Sequence, residues 1–362
     1  MGRKAKIHGL GWEFSALMNE AIRSLPERMM QKRNYVYASE IGGQMATRYL
    51  RMFAHPYTNP INDRGRRKML SGTIFEWIVH FVLTVCGVVK ESQLKGTIEL
   101  PGMLPVSGKL DFIAGGQVDW EKATHEAERL RALFRTTIDD MPPIVFYAID
   151  KVLARMQQMF QFAPLQEKVL EIKSVSGFVG DLIERSNKPR MPHPLQCLHY
   201  VMANKLPGAI VYINRDSFMC YEFPVEPTKE LVKMYHDDVQ TITMYYNNAG
   251  KNYLKNCPPV GSPVIFEPAS FRFVKSNGIE YSPYLTHFFP QYKSFDDFNN
   301  AWTKPLSQYN RVFRRCVLGQ NMTKANTEII TEAKKTFPDW DAYVEQARKA
   351  GAFDKPETDD ED

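Results

Sequence analysis

Nowhere does this chain reach the roughly 18 consecutive apolar residues that a membrane-crossing helix needs. Its basic start lacks the apolar segment of a secretory signal, and Gly2 is followed by Lys6 where a myristoylation signal has Ser or Thr. The expectation is a protein with no membrane partner, in the cytoplasm of a bacterium or a phage-infected host. Cysteine is scarce. The five present (Cys86, Cys197, Cys220, Cys257 and Cys316) are odd in number and widely spaced, with no Cys-x-x-Cys pair and no Cys/His cluster at zinc spacing. A reducing compartment fits best. Net charge is small too, at +5, but it is unevenly spread. Residues 1–70 carry 13 Lys/Arg against five Asp/Glu, while residues 354–362 carry six acids and one Lys. A basic lobe of this kind suits either nucleic acid or a solvated surface.

What is present is an ordinary globular composition. At 362 residues and 44% hydrophobic, the chain can bury a sizeable core in one elaborated domain or two. Residues 11–32 place Phe14, Leu17, Met18, Ile22 and Leu25 at helical spacing, interrupted by Pro26. A second helix is expected after Ser39, carrying Met45, Tyr49 and Leu50 with Arg48 and Arg51 nearby. The following stretch, His55 to Lys68, reads as a loop holding Arg64, Arg66, Arg67 and Lys68, suited to phosphate contact or to plain solvation. Gly72 to Cys86 is apolar enough to be a largely buried helix, with Glu76 and His80 on one face. Glu76 is the candidate ligand; His80 reads as a hydrogen-bonded core histidine.

Thr97–Leu100 and Val106–Ala114 read as a hairpin, with Asp111 an acid inside an apolar strand. Residues 117–166 then look like a helical insertion, because Asp119–Phe134 and Val145–Phe162 have helical periodicity around Met141-Pro142-Pro143. Both roots of the insertion are expected within a few residues of Asp111 and Glu171. The next strand, Val169-Leu170-Glu171-Ile172-Lys173-Ser174, has a period of two that puts Glu171 and Lys173 on one face and turns Leu170 and Ile172 into a core. A carboxylate can hold a divalent cation, and an ammonium beside it can position water or offset phosphorane charge. A helix carrying Gln196 and Tyr200 one turn apart follows, then strands at Ala209–Asn214 and Phe218–Phe223. Beyond these, Thr228–Asn248 reads as an amphipathic helix, and the aromatics Phe266, Phe271, Phe273, Tyr281, Tyr284, Phe288 and Phe289 read as core packing or as platforms for unpaired bases.

Taken in order, Gly72-x-x-x-Glu76 on a helix, Gly108-x-x-Asp111 on a strand, Glu171-x-Lys173 on the next and Gln196-x-x-x-Tyr200 on a following helix resemble the PD-(D/E)XK nuclease superfamily. More narrowly, the chain resembles the RecB-like group, which includes CRISPR-adaptation nucleases and phage recombination exonucleases. The resemblance covers about residues 39–226. It implies that Asp111 and Glu171 ligate Mg or Mn with the backbone carbonyl of Ile172, and that Lys173 orients the attacking water. It also implies that Glu76 stands where the group has a His or Glu ligand, and that Gln196 and Tyr200 hold the lysine and touch the DNA backbone. Hard oxygen ligands independently suit Mg or Mn rather than zinc. Two departures stand out. The cysteines that hold an iron–sulfur cluster in many relatives have no counterparts, so no cluster is expected. The gap of 60 residues from Asp111 to Glu171 is also far longer than a direct strand connection needs.

The expected fold is α/β: a restriction-endonuclease-like mixed central sheet flanked by helices, with a helical insertion and a helical carboxyl-terminal extension. The expected organisation is a nuclease core over 1–226, a helical and aromatic region over 227–350 and a disordered acidic tail over 351–362. The expected function is a metal-dependent DNA exonuclease of recombination, repair or replication, with a phage source and a recombination or replication protein partner among the expectations. A structure-specific or nicking endonuclease and an inactive nuclease-derived binding module are the alternatives.

Overall fold

The structure, a computed structural model, describes residues 30–59, 63–137 and 164–353 except 269, 277, 278, 280 and 281, together with seven isolated positions within 20–24 and 151–158. Most of the helix expected over 11–32, the second half of the insertion, Tyr281 and the acidic tail from 354 lie outside the described residues. The chain divides into two compact units. One comprises Met1–Gly43, Arg51–Ala54 and Ile61–Cys257; the other comprises Gln44–Leu50, His55–Pro60 and Pro258–Asp362.

The first unit is built on a five-stranded mixed sheet in the order β2 (Val89–Ser92), β5 (Phe112–Gly116), β6 (Leu165–Val175), β7 (Gly208–Asn214), β8 (Cys220–Val225). Only the β6–β7 pair is parallel, with Glu171 opposite Ile210 and Lys173 opposite Tyr212. β6 is rich in branched apolar residues, and its alternation works as expected on one side. Leu170 and Ile172 join Phe112, Ala114, Ala209 and Ile213 in a core closed by Phe75 of helix α2 (Asp63–Val85). The other side is covered as well, by helix α5 (His193–Asn204), so Val169 and Glu171 are also buried. The Glu171 face is therefore an interior face rather than a solvated edge.

Three other expectations change. The strand expected over Val106–Ala114 is two strands in two sheets. β4 (Val106–Lys109) pairs with β3 (Lys95–Ile98) and β1 (Val36–Tyr37), whereas β5 belongs to the central sheet, and Asp111 sits at the break. Helix α2 begins at Asp63, so Arg64, Arg66, Arg67 and Lys68 lie on its first turns and not in a loop. The helix is also only half buried: Trp77 is 70% exposed, and Ile74, Ile78 and Val82 face outward. The insertion begins as helix α3 (Trp120–Thr137) and returns at Leu165, which pairs with Gly116. Val118, Trp120 and Leu165 pack together with Cys86 and Val88. These roots are five residues beyond Asp111 and six before Glu171, about 17–20 Å along extended chain.

The second unit has an aromatic core. Strands β9 (Val264–Glu267) and β10 (Arg272–Lys275) form a hairpin-like pair against helices α8 (Phe295–Val317), α9 (Lys324–Thr336) and α10 (Trp340–Lys349). Phe273 stacks on Trp340 with ring centroids 4.8 Å apart, and Phe266 and Phe313 pack beside them. Packing, not base stacking, accounts for these aromatics. The Asn310 side chain on α8 accepts from Phe273 N–H (2.7 Å) and donates from Nδ2 to Phe273 C=O (3.0 Å). No helix among the described residues is long and apolar enough to cross a membrane.

Candidate active site

Four groups from three parts of the chain meet electrostatically in the first unit: Glu76 on α2, Asp111 at the β4–β5 break, and Glu171 and Lys173 on β6. Each carboxylate has one oxygen fixed by a protein donor. Ile172 N–H donates to Asp111 Oδ2 at 2.7 Å, Lys173 Nζ to Glu171 Oε1 at 2.5 Å, and Gln93 Nε2 to Glu76 Oε1 at 2.5 Å. The second oxygen of each accepts no hydrogen bond from the described residues, and Glu171 Oε2 is fully buried in that state. A buried acceptor without a donor costs free energy, which a bound cation would relieve.

Burial raises all three acids. Glu171 is pushed up to about 7, since burial and the charges of Asp111 and Glu76 outweigh the pull of Lys173. Asp111 is raised by burial against the opposing Ile172 hydrogen bond and Lys173 charge, and Glu76 by burial and by Asp111. Burial works to lower Lys173, but its ion pair with Glu171 wins and its net shift is upward, so it stays an ammonium. Such mutually repelling carboxylates are the donor set that a hard divalent cation relieves. They are not a closed cage as they stand: among the described residues no three acidic, His or Cys side chains are close enough to ligate one ion.

The remaining expected residues take different places. Tyr200 is 1% exposed and its hydroxyl donates to Lys109 C=O at 2.8 Å, pinning β4 just before Asp111. Gln196 is buried and hydrogen-bonds Tyr200. Both are buried where α5 packs on the sheet, and Tyr200 reaches the segment just before Asp111. Ile172 acts visibly through its N–H, with its side chain in the core. Arg48, on helix α1 (Met45–Met52), is 2% exposed, which corrects its expected role in phosphate contact. Arg67 and Lys68 are exposed and Arg66 half-buried on α2, while the Arg64 side chain lies outside the described residues. His80 packs its ring against Phe112.

Two contributors escaped sequence reasoning. Gln93 looks like any turn residue and carries no motif. Tyr212, opposite Lys173, binds Arg190 N–H (2.9 Å) and His193 Nδ1 (2.8 Å) through its hydroxyl, and burial pushes His193 down to about 3, so its ring is neutral. Strand register was the only available signal for Tyr212. A separate apolar cleft of about 600 Å³ lies between α2 and the sheet, lined by Phe75, Val79, Leu83, Leu170, Ile172 and Val211. It is bounded by the Ile172 face, holds none of the four charged groups, and lacks the polarity that hydrolysis needs.

No protein-family model and no curated protein matches the chain. Among solved structures it is similar to SSO0001 (16% identity, TM-score 0.34, over 63% of this chain and 85% of that one). It is also similar to an alkaline exonuclease, LHK-Exo, from Laribacter hongkongensis (13% identity, TM-score 0.33, over 61% and 92%) and to the same enzyme in complex with dAMP (13%, 0.32, over 60% and 94%). Likeness at this level assigns neither fold nor activity.

Proposed function

We propose that the chain is a metal-dependent deoxyribonuclease that hydrolyses phosphodiester bonds at the Glu76, Asp111, Glu171 and Lys173 site, acting as an exonuclease. The observation that carries this reading is the half-used state of the three carboxylates around one lysine, with Glu171 Oε2 buried and without a donor. Glu76, Asp111, Glu171 and the Ile172 carbonyl are the oxygens that would hold Mg²⁺ or Mn²⁺. The cation supplies Lewis-acid polarisation of the phosphate when bound. Lys173, kept protonated by Glu171, donates to the attacking water and offsets charge on the phosphoryl oxygens. Ile172 N–H fixes the Asp111 carboxylate, and Tyr200 fixes the strand end behind it. Arg67 and Lys68 are exposed on the helix that carries Glu76, where they suit backbone phosphates approaching the site. Recombination, repair or replication is the setting that such an activity serves.

A nicking or structure-specific endonuclease on the same site is the second reading. End-labelled linear DNA and closed circular DNA, each with Mg²⁺ or Mn²⁺, separate the readings. The expected result is nucleotide release from linear DNA only, lost in Asp111→Ala, Glu171→Ala and Lys173→Ala, because the members of one site fail as a unit. Cutting of circles establishes the endonuclease. DNA binding without cleavage by the unaltered protein overturns both and leaves the binding module.

A further inference from the structure

Gln93 occupies the turn where the chain passes from β2 in the central sheet to β3 in the three-stranded sheet. Directly across from it, at Leu110–Asp111, the partner chain segment makes the reverse passage from β4 to β5. The two crossings are laced together: Gln93 N–H donates to Asp111 C=O at 3.1 Å, and Leu110 N–H donates to Leu94 C=O at 3.0 Å. Gln93 has φ +54°, a left-handed backbone that residues with a Cβ adopt only at a cost. Glycine is the ordinary occupant of such a turn. The exposed side chain here does something glycine cannot: its Nε2 reaches α2 and donates to Glu76 Oε1 at 2.5 Å. One residue thus holds the Asp111 main chain with its own main chain and the Glu76 carboxylate with its side chain.

We infer that Gln93 is a positioning residue for the carboxylate pair, holding Glu76 against the repulsion of Asp111 so that both face one divalent cation. The inference rests on the proposed metal-dependent activity and deepens it. Backbone strain retained for a side chain's sake separates this role from a structural one. Gln93→Gly removes the amide while relieving the left-handed backbone, so the fold should be as stable as before or more so, whereas a purely structural glutamine would leave the fold weaker. Loss of an outer-shell partner of this kind typically weakens metal binding about 10- to 100-fold.

The experiment titrates Mn²⁺ into the full-length protein without DNA, by calorimetry, for the unaltered chain, Gln93→Gly and Gln93→Ala, with urea unfolding of each in parallel. The expected result is Mn²⁺ affinity about tenfold or more weaker in both variants, with Gln93→Gly at least as stable as the unaltered protein. In cleavage, the half-saturating Mn²⁺ concentration should rise while the KM for DNA stays put. Unchanged Mn²⁺ affinity in Gln93→Gly, or a stability loss that matches the affinity loss, overturns the inference alone. An unaltered protein that binds no divalent ion overturns it together with the metal-dependent reading.

Discussion

A Cβ built at Gly108 would lie 2.6 Å from Tyr200 Oη, 2.8 Å from Ala38 Cβ and 3.1 Å from Tyr200 Cε1. Real Cβ atoms do not approach that closely, so Gly108→Ala must displace either the tyrosine or β4. Overpacking of this size costs about 1–3 kcal/mol, and displacement of the tyrosine adds the loss of its hydrogen bond to Lys109 C=O, about 1 kcal/mol more. Tyr200→Phe alone loses that bond and should cost about 1 kcal/mol. The double variant is the discriminating one. Removing the hydroxyl removes the shortest contact, so the two losses should fall short of additive by about 1 kcal/mol, while the Ala38 contact keeps the relief incomplete. Urea unfolding of the four proteins, compared by midpoint at constant slope, measures this coupling. Cleavage by Gly108→Ala should also fall, because Asp111 follows the displaced strand end. Strict additivity, or a Gly108→Ala protein as stable as its parent, refutes the packing argument.

The raised carboxylates make a pH prediction with two opposite signs. Ionised Glu171 is what a cation needs, so cleavage at limiting Mn²⁺ should climb as pH rises through about 7, and more Mn²⁺ should shift the acid limb downward as ion and proton compete. A rate that is flat between about pH 5.5 and about pH 8 contradicts this. In metal-free protein the folded Glu171 holds its proton above the ordinary 4.5, so its contribution to stability is full below that value and is lost as pH rises through about 7. Thermal melts across that window in chelator should show the decline, which Glu171→Gln should flatten. In the second unit, Asn310→Ala strips both partners from the Phe273 peptide groups and should cost about 1–3 kcal/mol. An unchanged near-ultraviolet melting transition would falsify that assignment.

The strands and helices around Glu171, Lys173, Gln196 and Tyr200 were legible because period-two and helical spacing survive in a single sequence. Burial of the second sheet face was not, since Val169 and Glu171 read equally well as an edge until α5 is laid over them. The same blindness hid the burial of Tyr200, which hydrogen-bonds Lys109 C=O, and of Arg48, which the sequence left on a phosphate-facing surface. The break at Asp111 was hidden because Leu110 and Phe112 continue the apolar alternation across two sheets. Gln93 was invisible for a simpler reason: nothing in a sequence announces that a glutamine will adopt a glycine's backbone.

The Asn310 amide also bears on how the small sheet of the second unit ends. Strand β10 has β9 as its partner on one side, and the Phe273 N–H and C=O that Asn310 occupies point away from it. Open ladder groups of that kind are what another strand pairs with, and Phe273 and Val274 are strongly strand-forming. A carboxamide has the same donor and acceptor spacing as a peptide unit, so it fills the position a foreign strand would take while adding no edge of its own. One side chain on a neighbouring helix thus takes the place of a third strand at Phe273.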